Sequence, residues 1–231
     1  MQTSDYLIIT GVSKGIGLAT VQLLNQQGYR VAGWGRSAPA YTHPDFHFFS
    51  CDVSDFAQVE AAWQQTQAKL GMQLYGLLNN AGFGHFGKVE ELPLEKWHAM
   101  FNTNVNGLMY CTRVVVPTLK ARQAGHIINI SSIAGLNGIV QGSGYSATKF
   151  AVRGISHSLY AELREDGIKV SCVYPGSVAT NFFDEVEGVT INPNMLQPQD
   201  VATLLVQLLQ SSPNFLTVDV EIRPLQPKGK K

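Results

Sequence analysis

The sequence predicts an α/β fold, a doubly wound parallel sheet of about seven strands with helices on both faces. Strand-like and helix-like stretches alternate along the chain. The strand-like runs are almost continuously apolar, as strands covered on both faces must be. A glycine-rich turn separates the first strand-like run from the first helix-like stretch, a connection typical of such sheets.

The first run is YLIIT (6–10), and TGVSKGIG (10–17) continues from its last residue. After Gly15, residues Ile16, Leu18, Ala19, Leu23 and Leu24 recur at helical spacing. The next strand-like runs are YRVAGWG (29–35), FHFFS (46–50) and LYGLLNN (74–80). Residues 95–120 read as one long helix, with Trp97, Phe101, Val105, Leu108 and Val115 in register. Pro117 is expected to bend or end it, because proline lacks the N–H a helix interior needs. HIINIS (126–131) and IKVSCVY (168–174) are further strands, and a helix between them runs to about residue 164. Val201, Leu204, Leu205, Leu208 and Leu209 form an amphipathic stripe before the last run, FLTVDVEI (215–222). The least regular stretch, 181–199, contains Gly188, Pro193 and Pro198 and reads as a substrate lid or a surface loop. Residues 226–231 read as a flexible tail. No repeat or linker composition interrupts the pattern, so 1–231 reads as a single domain.

Bulk composition narrows the function classes. Seventeen basic residues balance seventeen acidic ones, which gives no electrostatic case for nucleic acid or an anionic membrane. Cys51, Cys111 and Cys172 are far apart and odd in number, so neither a metal site nor a disulfide framework is expected. That usage suits a reducing, cytoplasmic setting. The N-terminal MQTSDYLIIT lacks the basic region and long apolar core of a signal peptide. No apolar run reaches the roughly 18 residues that span a bilayer.

Gly11, Gly15 and Gly17 lie between strand and helix, where glycine lets backbone N–H groups approach a phosphate. The helix starting near Ile16 presents unpaired N–H groups and a positive dipole end to a pyrophosphate. The spacing G-x-x-x-G-x-G differs from the common G-x-G-x-x-G fingerprint. By itself it also fits a ligand-free strand–helix connection. The second strand leads into AGWGRS (32–37), which has Arg36 and no carboxylate. An acidic residue there would hydrogen-bond a ribose hydroxyl, whereas an arginine pairs with a 2′-phosphate. Lys14 reaches toward the same place, Ser37 can add a hydrogen bond, and NADP is therefore favoured over NAD. Asp52 either meets the adenine amino group or caps a helix beginning near Ser54.

Tyr145 and Lys149 are four residues apart, on one helix face, and Ser132 lies upstream at the end of a strand. A free tyrosine, with a pKa near 10, is a poor base. An ammonium about 4 Å from its phenolate contributes roughly 4 kcal/mol at an effective dielectric of about 20, or about three pKa units. Such a tyrosine can act as a general acid–base, and Ser132 can hydrogen-bond a substrate oxygen.

With these motifs together, the chain resembles the short-chain dehydrogenase/reductase family, in its single-domain NADP-dependent branch. The match runs from Thr10 to about Thr180. TGVSKGIG resembles the family's cofactor turn, NNAG (79–82) the segment closing the strand beneath the cofactor, and PGSVAT (175–180) the turn facing the nicotinamide. Asn104 in FNTNVNG matches an asparagine that holds a water on the proton path. The resemblance implies a Rossmann-like fold and a catalytic set of Asn104, Ser132, Tyr145 and Lys149. Tyr145 is then the proton donor in reduction, while Lys149 binds ribose hydroxyls and lowers the tyrosine pKa. The implied cofactor contacts are Gly11, Ser13, Lys14, Gly15, Ile16, Gly17, Arg36, Ser37, Asp52, Val53, Asn80, Ala81, Gly82, Tyr145, Lys149, Pro175, Gly176, Val178 and Thr180. The family's frequent dimers and tetramers make 95–116 and 148–164 candidate interfaces of a homo-oligomer.

Phe83, Phe86, Leu136, Ile139, Val140, Phe182 and Phe183 are apolar positions near the expected reaction centre, with His85 and Gln141 the polar exceptions. No Arg or Lys cluster there suits a substrate phosphate or carboxylate. The expected substrate is a small apolar ketone, aldehyde or secondary alcohol, interconverted by an NADP-dependent carbonyl reductase or alcohol dehydrogenase. A cofactor-binding sensor without turnover, and an epimerase or dehydratase using the same residues, remain alternatives. The Tyr-x-x-x-Lys spacing argues against the family's enoyl reductases.

Overall fold

Residues 4–180, 182 and 191–226 are described in a computed structural model. Seven parallel strands form one sheet in the order β3-β2-β1-β4-β5-β6-β7. They are β1 (Tyr6–Thr10), β2 (Arg30–Gly35), β3 (Phe46–Ser50), β4 (Leu74–Asn79), β5 (Gly125–Ile130), β6 (Ile168–Pro175) and β7 (Asp219–Ile222). The major helices are α1 (Gly15–Gln26), α2 (Phe56–Leu70), α3 (Leu94–Phe101), α4 (Leu108–Arg122), α5 (Ser143–Leu163) and α6 (Pro198–Gln210). The order reverses between β1 and β4, which opens a crevice beyond the carboxyl ends of these strands.

Every residue of β1 is buried, and alternate side chains face opposite layers. Tyr6 and Ile8 join a core with Trp34, Leu77, Val115 and Ile127. Leu7 and Ile9 join a second core with Val31, Leu78, Ile128 and the α6 leucines. The predicted α6 stripe is thus a packing face, and the helix is started by Pro198 and a Gln197–Asp200 capping box.

Three expectations about elements are corrected. The stretch read as one helix is α3, a π-helical turn at Asn102–Gly107, and α4. Pro117 does not end it; α4 continues to Arg122. Pro117 and Arg113 both lie on the exposed side, where water can take the carbonyl that proline leaves unpaired. The last strand covers only 219–222, and just before it the Thr217 carbonyl accepts from the Ser171 hydroxyl. The expected lid falls partly on residues 181 and 183–190, outside the described residues. Its end at 191–197 is held by a bridge between Val178 and Leu196. Tail residues 227–231 also lie outside the described residues.

Below the C-terminal end of α6, Lys169 donates to Ser211 Oγ and to the Ser211 and Ser212 carbonyls, satisfying the end of that helix. Beside it, buried His126 meets Ser171 Oγ at 2.9 Å. Burial, aided by the Lys169 charge, lowers its pKa to about 3. The unfolded chain therefore binds a proton near pH 6.5 that the folded chain refuses until about pH 3. This contribution to stability is complete above about pH 6.5 and is lost as pH falls, at no more than about 1.4 kcal/mol per pH unit. His126→Gln is expected to flatten the wild-type slope of unfolding free energy across that window, as measured by urea denaturation.

Candidate active site

The crevice at the strand-order reversal is built by side chain to backbone bonds. Thr10 Oγ1, at the end of β1, accepts from the Asn80 and Ala81 N–H groups at 3.0 and 2.9 Å. The Asn80 amide in turn donates to the Thr10 and Gly11 carbonyls at 2.9 and 3.0 Å. These four bonds hold the NNAG segment to the glycine turn. Two glycines are sterically required there. Gly11 has φ +72°, and a Cβ on it would lie 2.9 Å from Ala81 Cα. A Cβ on Gly17 would lie 2.3 Å from the Gly11 carbonyl oxygen. Gly17→Ala must therefore push the turn away from NNAG. The expected cost is about 1–3 kcal/mol of stability, together with weaker NADPH binding, to be read by thermal melting and fluorescence titration.

A cleft of about 1130 Å³ runs from this turn to the carboxyl end of β6. The structure gathers Gly11, Ser13, Lys14, Gly15, Ile16, Arg36, Ser37, Asp52, Val53, Asn80, Ala81, Gly82, Ser132, Tyr145, Lys149, Pro175, Gly176, Val178 and Thr180 on its walls. Gly17 stands behind the wall, packed on the turn it shapes. Lys14 and Arg36 are exposed, and among the described residues neither is paired with a carboxylate. Asp52 accepts from the Ser54 N–H and hydroxyl, while the cap of α2 is Asp55, so the alternative of Asp52 as the helix cap is corrected.

Ser132 lies just past β5 and starts a short 3₁₀ turn, accepting from Ala134 N at 3.1 Å. Tyr145 and Lys149 occupy successive turns of α5, facing the cleft. Lys149 Nζ donates to the Ile130 carbonyl at 2.8 Å and stands 5.7 Å from the Tyr145 ring centroid. Ser131, next in sequence to Ser132, donates to the Lys149 carbonyl at 2.9 Å and ties β5 to α5.

The electrostatics differ from the sequence expectation. Burial raises the Tyr145 phenol to about 12, opposed by a hydrogen bond from Ser132. Burial also lowers the Lys149 ammonium to about 8. In this arrangement the Lys149 ammonium is directed at the Ile130 carbonyl, while Phe86 and Phe182 pack on the phenol ring.

Asn104 is placed by the π-helical turn rather than by a regular helix. Its amide clasps the backbone of Phe83, accepting from the N–H at 3.1 Å and donating to the carbonyl at 2.9 Å. It also donates to Thr148 Oγ1 at 3.0 Å. Thr148 and Ser131 are parts of the site that sequence reading missed; a threonine or serine beside a motif carries no periodic signal. Behind the cleft, Asn104, Lys149, Thr10 and Asn79 line a cavity of about 10 Å³, close to what one water needs. The buried Asn79 Oδ1 has no partner among the described residues and borders this cavity.

A cleft with a glycine cradle, two unpaired cations at one end and a Ser–Tyr–Lys group at the other can hold a dinucleotide and pass a proton to an oxygen. The donors and the two steric glycines fit such a ligand. Comparisons with known proteins agree. The short chain dehydrogenase family model matches residues 5–188. The chain is 35% identical to a 3-alpha-(or 20-beta)-hydroxysteroid dehydrogenase of Mycobacterium bovis, over 89% of this chain and 77% of that protein. It is 29% identical to an uncharacterized oxidoreductase of Staphylococcus aureus, over 96% and 98% of the two chains. Among solved structures, the closed form of serine dehydrogenase complexed with NADP+ superposes with a TM-score of 0.88 at 26% identity, over 96% and 95% of the chains.

Proposed function

Since the chain belongs to the short-chain dehydrogenase family, we propose that it is an NADP(H)-dependent oxidoreductase that interconverts a small apolar ketone or aldehyde with its alcohol. The observation that carries this reading is the convergence of Ser132, Tyr145 and Lys149 on the cleft that holds the glycine turn, Lys14 and Arg36. The NADP-bound serine dehydrogenase shares the fold over nearly the whole chain.

The glycine turn and the start of α1 would hold the pyrophosphate, Lys14, Arg36 and Ser37 the 2′-phosphate, and Val178 and Thr180 the nicotinamide amide. When bound, NADPH supplies the hydride that reduces the carbonyl carbon. Tyr145 gives its phenolic proton to the substrate oxygen, since its high pKa keeps it protonated at neutral pH. Ser132 hydrogen-bonds the same oxygen and steadies the charge that develops there. Lys149, charged below about pH 8, orients the ribose and offers a route for reprotonation through the small polar cavity beside Asn104.

Met109 on α4 and Phe150 on α5 expose apolar surface, which supports a homo-oligomer joined through those helices. Light scattering after size exclusion tests this. The three buried, free cysteines fit the reducing cytoplasm. Among the described residues, no helix is long and apolar enough to cross a membrane.

The catalytic reading is tested by following NADPH absorbance with purified protein and a panel of aldehydes, ketones and diketones. Turnover of an apolar carbonyl is expected. Tight NADPH binding without turnover across the panel would turn the reading toward a sensor, or toward an epimerase or dehydratase.

A further inference from the structure

Three aromatic rings close over the reaction centre. Phe86 and Phe182 each stand 5.4 Å from the Tyr145 ring, centroid to centroid, and 6.1 Å from each other. They come from separate segments, the loop after β4 and the chain after Thr180, and they leave Tyr145 only 7% exposed. Gly84 allows this approach, since a Cβ on it would lie 2.7 Å from the Phe182 ring and 3.0 Å from that of Phe86. Met100 and Ala134 complete an apolar cluster around the set. A carbonyl oxygen that reaches Tyr145 and Ser132 must bring its substituents against these rings. Aromatic pairs attract at centroid distances of about 4.5–7 Å, beyond what their buried area contributes. A saturated ring of the same size gains only burial and dispersion.

We propose that Phe86 and Phe182 are specificity-determining residues that select carbonyl compounds whose carbonyl carbon carries a flat aromatic ring. The inference rests on the carbonyl-reductase reading above and names the substrate class for it. An aryl ketone or aldehyde enters with its ring joining the Phe86–Phe182–Tyr145 set and its oxygen directed at the phenol.

The test compares benzamide with cyclohexanecarboxamide, non-reducible carbonyls that carry a flat aromatic and a saturated six-membered ring. Their affinities for the NADP+-loaded protein are measured by calorimetry. Benzamide is expected to bind about 3- to 10-fold more tightly, although its ring is the less hydrophobic of the two. Phe86→Leu and Phe182→Leu are each expected to bring the ratio toward one. Equal affinities, a preference for the cyclohexyl compound, or no benzamide binding in the wild type would overturn the proposal. So would a ratio unchanged in both variants. Should a variant fail to fold, the wild-type ratio decides. Turnover of acetophenone and cyclohexyl methyl ketone is measured in parallel. Absence of NADPH oxidation with both, and across the panel of aldehydes, ketones and diketones, would sink the reductase reading, while the amide ratio reports on the ring set alone.

Discussion

Tyr145→Phe is expected to lower kcat/KM for carbonyl reduction by about 10²–10⁴-fold, the usual contribution of a positioned general acid. The substitution removes one oxygen and keeps the ring that packs between Phe86 and Phe182, so the local apolar cluster survives. NADPH affinity should hold, because the glycine turn, Lys14 and Arg36 lie at the other end of the cleft. Activity within about tenfold of wild type would place the proton donor elsewhere. The raised phenol adds a directional test. Below pH 12 the phenol is mostly protonated, which suits donation in reduction. Alcohol oxidation needs the phenolate, whose share grows about tenfold per pH unit in that range. The oxidation rate should therefore climb with pH through the neutral range while reduction does not. A flat oxidation profile would mean that the phenol titrates lower in the working enzyme than burial by its neighbours dictates.

Arg36→Ala is expected to reduce the ratio of kcat/KM for NADPH over NADH by about 10- to 100-fold, which corresponds to about 1.5–3 kcal/mol for a charge-assisted hydrogen bond. Arg36→Glu should move it further, because a carboxylate repels the 2′-phosphate and suits a ribose hydroxyl. No carboxylate competes for either cation among the described residues. Lys14 and Arg36 would share one phosphate, so their losses should not add, and the double variant measures the coupling. An unchanged ratio in the double variant would leave cofactor choice to other contacts.

The strand count, the parallel sheet and the residues that meet in the cleft were legible in the sequence. Apolar runs of strand length, glycines at a strand–helix junction and an i, i+4 Tyr–Lys pair are local patterns, set by backbone period and steric need. The place of Arg36 on the cleft wall was readable for the same reason, since it follows from the length of one βα unit. The elements that deviated depend on surroundings. Pro117 is tolerated because its side of α4 faces water. The long helix carries a π turn whose asparagine clasps Phe83, a residue 21 positions away. Of the final strand-like run only 219–222 form a strand, and the Thr217 carbonyl before them accepts from the Ser171 hydroxyl.

The chemistry of the site divides in the same way. The sequence alone determined which residue types are present, Ser132, Tyr145 and Lys149 at spacings that a strand end and one helix face can bring together. Only the tertiary structure decided their state. Whether Lys149 lowers the tyrosine depends on where its ammonium points, and it points at the Ile130 carbonyl. Whether Tyr145 is wet or dry depends on what packs over it, Phe86 and Phe182 included, and burial raises its phenol to about 12. Spacing along a chain carries periodicity and reach; desolvation and hydrogen-bond direction belong to the packed surroundings, and these do not exist until the sheet has closed.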